Sequence, residues 1–293
     1  MTRSELDVHL ADGRTLRVLE DADPHGRPVF VEHGTPGARL LYHKHVEDAR
    51  RRGIRLIGHD RPGYGGSTPR RGRRMADEAG DVAAIADELG IDKFALWGHS
   101  GGGPHALACA AALSGRLVAA ASLAAPAPYP AEGIDWFAGM GEANVEDAQL
   151  MLHDLPAWEA KLARESQEMS NATVEQLREV FASLLSEVDR AAFTADVADL
   201  LLSQAKEGLR GGPEGIRDDN LEAARPWGFE LSAIRTPLQI WHGRHDRFVP
   251  FSHGEWLAAH LPGADVHLEP EEGHVTLLER RIPAVHEWLV SHF

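Results

Sequence analysis

Leu96-Trp97-Gly98-His99-Ser100-Gly101-Gly102-Gly103-Pro104 is the stretch around which the rest of the chain is organised. The apolar run Phe94-Ala95-Leu96-Trp97 predicts a buried strand and Pro104 to Leu113 predicts a helix, so Ser100 falls on the turn between them. A turn that sharp demands backbone angles that a Cβ tolerates poorly, which accounts for Gly98 and Gly102 on either side of the serine. It lifts the Ser100 hydroxyl above the sheet edge. The helix start beside it offers free N–H groups and a positive dipole end to a developing oxyanion. Gly-x-Ser-x-Gly in a strand, turn and helix setting is the pattern of a nucleophile elbow.

A serine hydroxyl is a weak nucleophile, so it needs a base, and the base needs a partner that fixes its tautomer. Both must come from loops at the same sheet edge. The strand predicted at Leu238 to Trp241 runs into His242-Gly243-Arg244-His245-Asp246, and the strand at Val266 to Leu268 runs into Glu271-Glu272-Gly273-His274. Chain order is then Ser100, Asp246, His274. Among 17 histidines, His274 alone combines a glycine-preceded loop with a place just past the last strand. His99 is expected to point away from Ser100 into packing, and His105, His260 and His286 fall within helices. Asp246 could also merely cap the helix that follows it. The segment after the preceding core strand, Leu123-Ala124-Ala125-Pro126, has no carboxylate to compete with it.

An oxyanion hole needs converging backbone donors. Gly101 follows the nucleophile, and Thr35 follows His33-Gly34 at the end of an earlier strand. Gly34 and Gly37 allow close approach of the main chain there, and Pro36 fixes its course.

Along the chain, Asp12-Gly13 marks a hairpin between strands at Leu6 to Leu10 and Thr15 to Glu20. Strands then alternate with helices as far as the strand at Leu117 to Leu123, a rhythm that implies βαβ units and a largely parallel sheet. From about Pro126 the pattern turns helical: Asn144 to Leu155, Ala157 to Met169, Thr173 to Ser186 and Asp189 to Leu209 carry apolar residues at helical spacing, with Thr173 and Gln176 forming a capping box. The βα rhythm returns near Leu238, with helices expected at Ser252 to Leu261 and Ile282 to Phe293. The division is a core at 1–125, an inserted helical cap at 126–228 with Phe181, Leu184, Phe193 and Leu200 packing inside it, and the rest of the core at 229–293. Trp136, Phe137, Met140, Met151, Leu152 and Trp158 are candidates for an apolar substrate pocket, and Gly34 is a further candidate substrate-binding residue. Asp218, Asp219 and Asn220 are expected at the mouth of the cleft or at the start of the last cap helix.

Composition removes several classes of function. With 43% hydrophobic and 26% charged residues the chain is globular, and a net charge of −15 argues against a nucleic-acid surface. Cys109 is the only cysteine, which excludes intramolecular disulfides and cysteine metal clusters. No apolar run is long enough to span a bilayer and the N-terminus has no apolar signal core, so no membrane partner and a cytoplasmic location are expected. Neither a Gly-x-x-x-x-Gly-Lys-Ser/Thr nor a Gly-x-Gly-x-x-Gly opening the first helix is present, so no nucleotide cofactor is expected. His242-x-x-His245-Asp246 hints at a metal, but no second cluster at ligand spacing supports it, and no metal is expected.

Taken together, His33-Gly34-Thr35-Pro36-Gly37, Asp60-Arg61-Pro62-Gly63-Tyr64-Gly65-Gly66-Ser67, Gly98-His99-Ser100-Gly101-Gly102, His242-Gly243-Arg244-His245-Asp246 and Gly273-His274 resemble the α/β-hydrolase superfamily, in its cap-bearing, serine-nucleophile branch. The resemblance implies an α/β fold with a mostly parallel eight-stranded sheet, a metal-free site without cofactor and an acyl-enzyme mechanism. It also implies that a serine at position 100 excludes the branches with an aspartate nucleophile. The expected activity is hydrolysis of a small or medium, largely apolar carboxylic ester by a monomer or homodimer. The chain is similar to proline iminopeptidases as well, and Glu132, Asp135, Glu142, Glu146 and Asp147 in the cap could receive a substrate ammonium. A ligand receptor on the same scaffold, with little turnover, is the third expectation.

Overall fold

Asp12-Gly13 closes the predicted hairpin, with Gly13 at φ 87°, and pairs β1 (Ser4–His9) with β2 (Thr15–Ala22) in antiparallel register. The structure, a computed structural model, describes residues 3–293. The remaining strands are β3 (Arg27–Glu32), β4 (Ile54–His59), β5 (Phe94–His99), β6 (Leu117–Leu123), β7 (Leu238–Gly243) and β8 (Asp265–Glu269). They form one eight-stranded sheet in the order β1-β2-β4-β3-β5-β6-β7-β8. β2 is antiparallel to β4, and every later pair is parallel. This is the α/β-hydrolase fold that the sequence implies. Ligands of such sheets bind beyond the carboxyl ends of the strands.

Residue alternation along the strands sorts side chains between two helical layers. Phe94 and Leu96 pack with Phe30, Ile57 and Ile240 against α2 (Glu78–Glu88), α3 (Gly102–Ala112) and α10 (Phe251–His260). Ala95 and Trp97 face the other way with Val29, Leu56 and Trp241, against α1 (His43–Arg51), α11 (His274–Arg280) and α12 (Ile282–Val290). β5 is buried at every position, which anchors the elbow in the middle of the core.

Six helices lie between β6 and β7: α4 (Glu142–His153), α5 (Leu155–Ser170), α6 (Val174–Phe181), α7 (Glu187–Ala192), α8 (Ala195–Gly208) and α9 (Glu214–Ala223). The Thr173 and Gln176 capping box is formed. Leu177, Phe193, Val197 and Leu202 centre their packing, Phe181 and Leu200 lean on that cluster, and Val275 of α11 belongs to it.

Three expectations change. The single helix over Asp189 to Leu209 is two, because Ser186 caps α7 and Thr194 caps α8, and such oxygens compete with a continuing helix for backbone N–H groups. The helix expected from Ile282 is α12, but an unexpected helix, α11, precedes it and begins at His274 itself, where a loop is expected. Asp218, Asp219 and Asn220 do not start α9 but lie within it, both aspartates are buried, and Asp218 lines a small hollow of about 140 Å³ beside Arg73 and Arg217.

The junction of β5 and α3 is backbone against backbone. A Cβ at Gly98 would overlap the carbonyl oxygen of Gly102, and one at Gly102 would overlap that of Glu32. Gly98→Ala is therefore expected to destabilise the fold by about 1–3 kcal/mol, measured as a lower urea midpoint at unchanged m-value.

Candidate active site

Ser100 sits at φ 56°, the left-handed region that a non-glycine residue enters at a cost, and its N–H is fixed to the Leu123 carbonyl at 2.9 Å. The loop after β3 lies against it. A Cβ on Gly34 would come within 3.5 Å of Ser100 Cβ, and one on Gly101 would stand 3.2 Å from Thr35 N. The N–H groups of Thr35 and Gly101 are thus neighbours beside the hydroxyl, and neither enters a turn or loop hydrogen bond.

The carbonyls of that loop are drawn the other way. Arg61 Nη1 donates to the His33 carbonyl at 2.5 Å and Nη2 to that of Gly34 at 3.3 Å. His33 Nε2 accepts from the Arg61 N–H at 3.3 Å, which leaves Nδ1 as the donor to the Gly34 carbonyl at 2.7 Å. Burial, helped by Arg61, pushes the His33 imidazole down and keeps it neutral. Carbonyls held inward leave the amides facing outward.

Asp246 divides its two oxygens. Oδ1 accepts from Phe248 N at 2.9 Å and Val249 N at 2.8 Å, which holds the turn, and Oδ2 lies 2.7 Å from His274 Nδ1. Different atoms hold the turn and face His274, but Asp246 does not cap α10, which follows Pro250 and has no side-chain cap. With Nδ1–H donating to the carboxylate, Nε2 is the free lone pair. Burial pushes the His274 imidazole down, so it is neutral, and pushes the Asp246 carboxyl up against two backbone N–H bonds. Phe248 stacks on the imidazole at 4.6 Å, and His99 packs at 4.6 Å with Nε2 donating to the His274 carbonyl at 3.0 Å. His99, as expected, turns into packing, and it brings His274 against the residue next to Ser100. No hydrogen bond joins Ser100 Oγ to His274 among the described residues.

A buried carboxylate that the sequence reading set elsewhere lies beneath the Thr35 loop. Asp219 accepts from Thr35 Oγ1 at 2.5 Å, Arg61 at 2.7 Å and Tyr64 OH at 2.7 Å, and also from Arg73. Burial raises its pKa, but Arg61 and Arg73 outweigh that and hold it well below the usual carboxylate range. The network continues through His105, Glu222 and Glu78 to His59 and Glu32. Burial lifts Glu32 to about 7, whereas Glu32 and Glu78 overcome burial and lift His59 to about 9. Folding thereby assembles Glu32-His59-Glu78 and His105-Asp219-Glu222, each with donor atoms within 4.8 Å, and apart from the Asp219–Glu222 pair on α9 their members are far apart in the chain. Arg61 and Arg73 supply positive charge to Asp219 and Glu222, while both oxygens of Glu32, His59 Nδ1, His105 Nδ1 and Glu222 Oε2 have no hydrogen-bond partner among the described residues.

The pocket candidates separate. Trp158 is 1% exposed with its indole donating to Asp147, so it belongs to helix packing and offers no face to a ligand. Trp136 and Phe137 are half-buried and pack with Tyr129, and Trp136 also packs on His253. Met140 is half-buried nearby. Asp147 is occupied by Trp158 and Lys161, which removes it from the carboxylates that could bind an ammonium. An open groove of about 510 Å³ runs past Gly139, Glu187, Asp246 and Phe251, on a side not lined by Ser100.

Residues 27–281 match the α/β hydrolase fold family. The chain belongs to that family. It is 28% identical to the AB hydrolase superfamily protein YisY of Bacillus subtilis, over 88% of each chain. It is also 28% identical to a 2-hydroxy-6-oxononadienedioate/2-hydroxy-6-oxononatrienedioate hydrolase of Burkholderia vietnamiensis, over 90% of this chain and 86% of that one. A thermophilic esterase from Thermogutta terrifontis superposes over 100% of both chains with a TM-score of 0.70 at 22% identity, which shows the shared fold. The chain is an enzyme of the α/β-hydrolase type, and no helix of its described residues is long and apolar enough to cross a membrane.

Asp219→Ala would leave Arg61 and Arg73 buried without their shared partner. It is expected to cost about 3–5 kcal/mol in urea unfolding, with Asp219→Asn less damaging.

Proposed function

We propose that the protein is a serine hydrolase that cleaves a carboxylic ester of a small, largely apolar substrate through an acyl-enzyme. The observation that carries this reading is the pair of uncommitted amides, Thr35 and Gly101, set beside a hydroxyl that the backbone holds at φ 56°. Ser100 Oγ attacks the ester carbonyl while His274 Nε2 takes its proton, and the carbonyl oxygen becomes an oxyanion between the two N–H groups. Collapse of this intermediate expels the alcohol, which receives the proton from His274. His274 then removes a proton from water, the hydroxide attacks the acyl carbon, and the acid leaves as Ser100 regains its proton. Asp246 keeps Nδ1 protonated and stabilises the imidazolium that forms in each half. The helices of 126–228 act as the cap over this chemistry, with Gly34, Trp136, Phe137 and Met140 as the residues that meet the substrate. Arg61 and Arg73 are already engaged by Asp219, which favours a substrate without extra negative charge.

A second reading is hydrolysis of a carbon–carbon bond. It is favoured by the relatives named as hydrolases of 2-hydroxy-6-oxononadienedioate, among them the Burkholderia vietnamiensis protein. A ketone of that kind contains no ester, so water must cleave a bond beside the carbonyl, and the same hydroxyl, base and amides serve it.

Turnover of a panel of aryl esters and of a 2-hydroxy-6-oxo-dienoate distinguishes the two readings by which class is consumed. Ser100→Ala and His274→Ala are each expected to lower kcat by about 10⁴–10⁶-fold, and Asp246→Asn by up to about 10⁴-fold, with far-UV circular dichroism unchanged. Full activity in Ser100→Ala contradicts both readings.

A further inference from the structure

Asp189 of α7 is wholly buried against the base, yet its hydrogen bonds go to backbone groups and one serine. Oδ2 accepts from His274 N at 3.1 Å, and Oδ1 accepts from Val275 N at 2.8 Å and Thr276 N at 3.1 Å. These are the first-turn N–H groups of α11, which have no acceptor within their own helix. The remaining N–H of the turn, that of Gly273, donates to Thr276 Oγ1 at 2.6 Å. Three of these four N–H groups, at the start of the helix that begins with the base, are therefore held from outside by one side chain of the insertion between β6 and β7.

The carboxylate is itself fixed. Ser186 Oγ donates to Oδ2 at 2.8 Å and also caps α7, accepting from Asp189 N at 3.3 Å. The close approach depends on Gly273, where a Cβ would overlap the Asp189 carboxylate. Val275 buries its side chain in the core of the inserted helices, beside Phe193 and Val197, so apolar contact and hydrogen bonds act on the same turn. The grip spans 85 residues of sequence and joins the insertion to the sheet domain at the base itself.

We propose that Asp189 is a positioning residue for His274: by fixing the first turn of α11 it sets the imidazole against Asp246 and Ser100, so the base is in register only while the inserted helices are seated. This rests on the serine-hydrolase reading above. The mechanism needs Nε2 aimed at Ser100 while Nδ1 stays on Asp246, and the ring is a short side chain on the residue whose own N–H Asp189 holds. The other groups facing it are Asp246 and Phe248 from the loop after β7, His99 at the end of β5 and His242 in β7. None of these holds the His274 main-chain N–H. Asp189 also adds a negative charge that opposes the effect of burial on the imidazole.

The test measures kcat, KM and the pH dependence of kcat/KM on an ester that the wild type turns over, in Asp189→Ala and Asp189→Asn. Rates are expressed per site labelled by a fluorophosphonate, so that unfolded molecules drop out of the comparison. Absence of Ser100-dependent turnover in the wild type would end the serine-hydrolase reading itself, a result separate from the outcomes below. Given that turnover, Asp189→Ala is expected to lose about 10–100-fold in kcat per labelled site with KM changed less than about twofold, because a displaced base damages the chemical step rather than binding. Asp189→Asn keeps an acceptor oxygen and caps well, so it is expected to recover most of that loss. Without the charge its imidazole protonates less readily, and the acid limb of kcat/KM moves to lower pH. A merely structural Asp189 would lower the melting temperature and leave kcat per labelled site and the limb unmoved, and that outcome overturns the proposal. If Asp189→Ala gives no labelled sites, Ser186→Ala, which frees the same carboxylate, decides: kcat per labelled site lowered at unchanged KM supports the proposal, and an unchanged kcat overturns it.

Discussion

Strand β5 and helix α3 meet with no room for a side chain between them, and the rest of the molecule is arranged around that contact. Gly98 and Gly102 carry the closest approaches, and Ser100 between them is left in a left-handed conformation. Conformational strain of this kind costs about 1–3 kcal/mol and persists where the surroundings over-determine it. Here those surroundings are a strand buried along its whole length and the hydrogen bond from Ser100 N to the end of β6. The reward is positional: the hydroxyl stands clear of the sheet, next to main-chain amides that lack acceptors.

Charge does the corresponding work beneath the Thr35 loop. A guanidinium placed under the loop turns its carbonyls inward, and a buried guanidinium must be paired. Asp219 pairs it, and binds Thr35 through the hydroxyl at the same time. Both carboxylates that reach the site from the inserted helices, Asp189 and Asp219, act on the main chain or the supports of the reacting groups rather than on the reaction. Such buried ionic groups add little net stability compared with apolar packing, and their value lies in geometry. Side chains of the insertion thus hold the main chain at His274 and the hydroxyl of Thr35.

The sheet, its hairpin and the alternation of strands and helices were legible because each rests on a local signal: Asp12-Gly13, apolar runs that stop at glycine-rich loops, and helical spacing. The strand ends that lead to Thr35, Ser100 and Asp246 were legible for the same reason, since glycine beside a polar side chain stands out in one dimension, whereas the helix that starts at His274 carried no such signal. Asp189 and Asp219 carried no such mark. Each lies in a helix with ordinary polar spacing and meets its partners across 85 and 158 residues respectively, so only the fold brings them together. Trp158 failed as a pocket residue because an aromatic at helical spacing fits a helix–helix contact as well as a cleft. The break between α7 and α8 was hidden by apolar periodicity that runs on past a threonine cap.

The most direct measurement is a crystal structure of the protein inactivated by an aryl phosphonate. The account predicts phosphorus bonded to Ser100 Oγ, with one phosphoryl oxygen about 2.7–3.1 Å from both Thr35 N and Gly101 N and His274 Nε2 facing the remaining ester oxygen. A phosphonate bonded elsewhere, or one on Ser100 with its oxygen turned away from those amides, would contradict it.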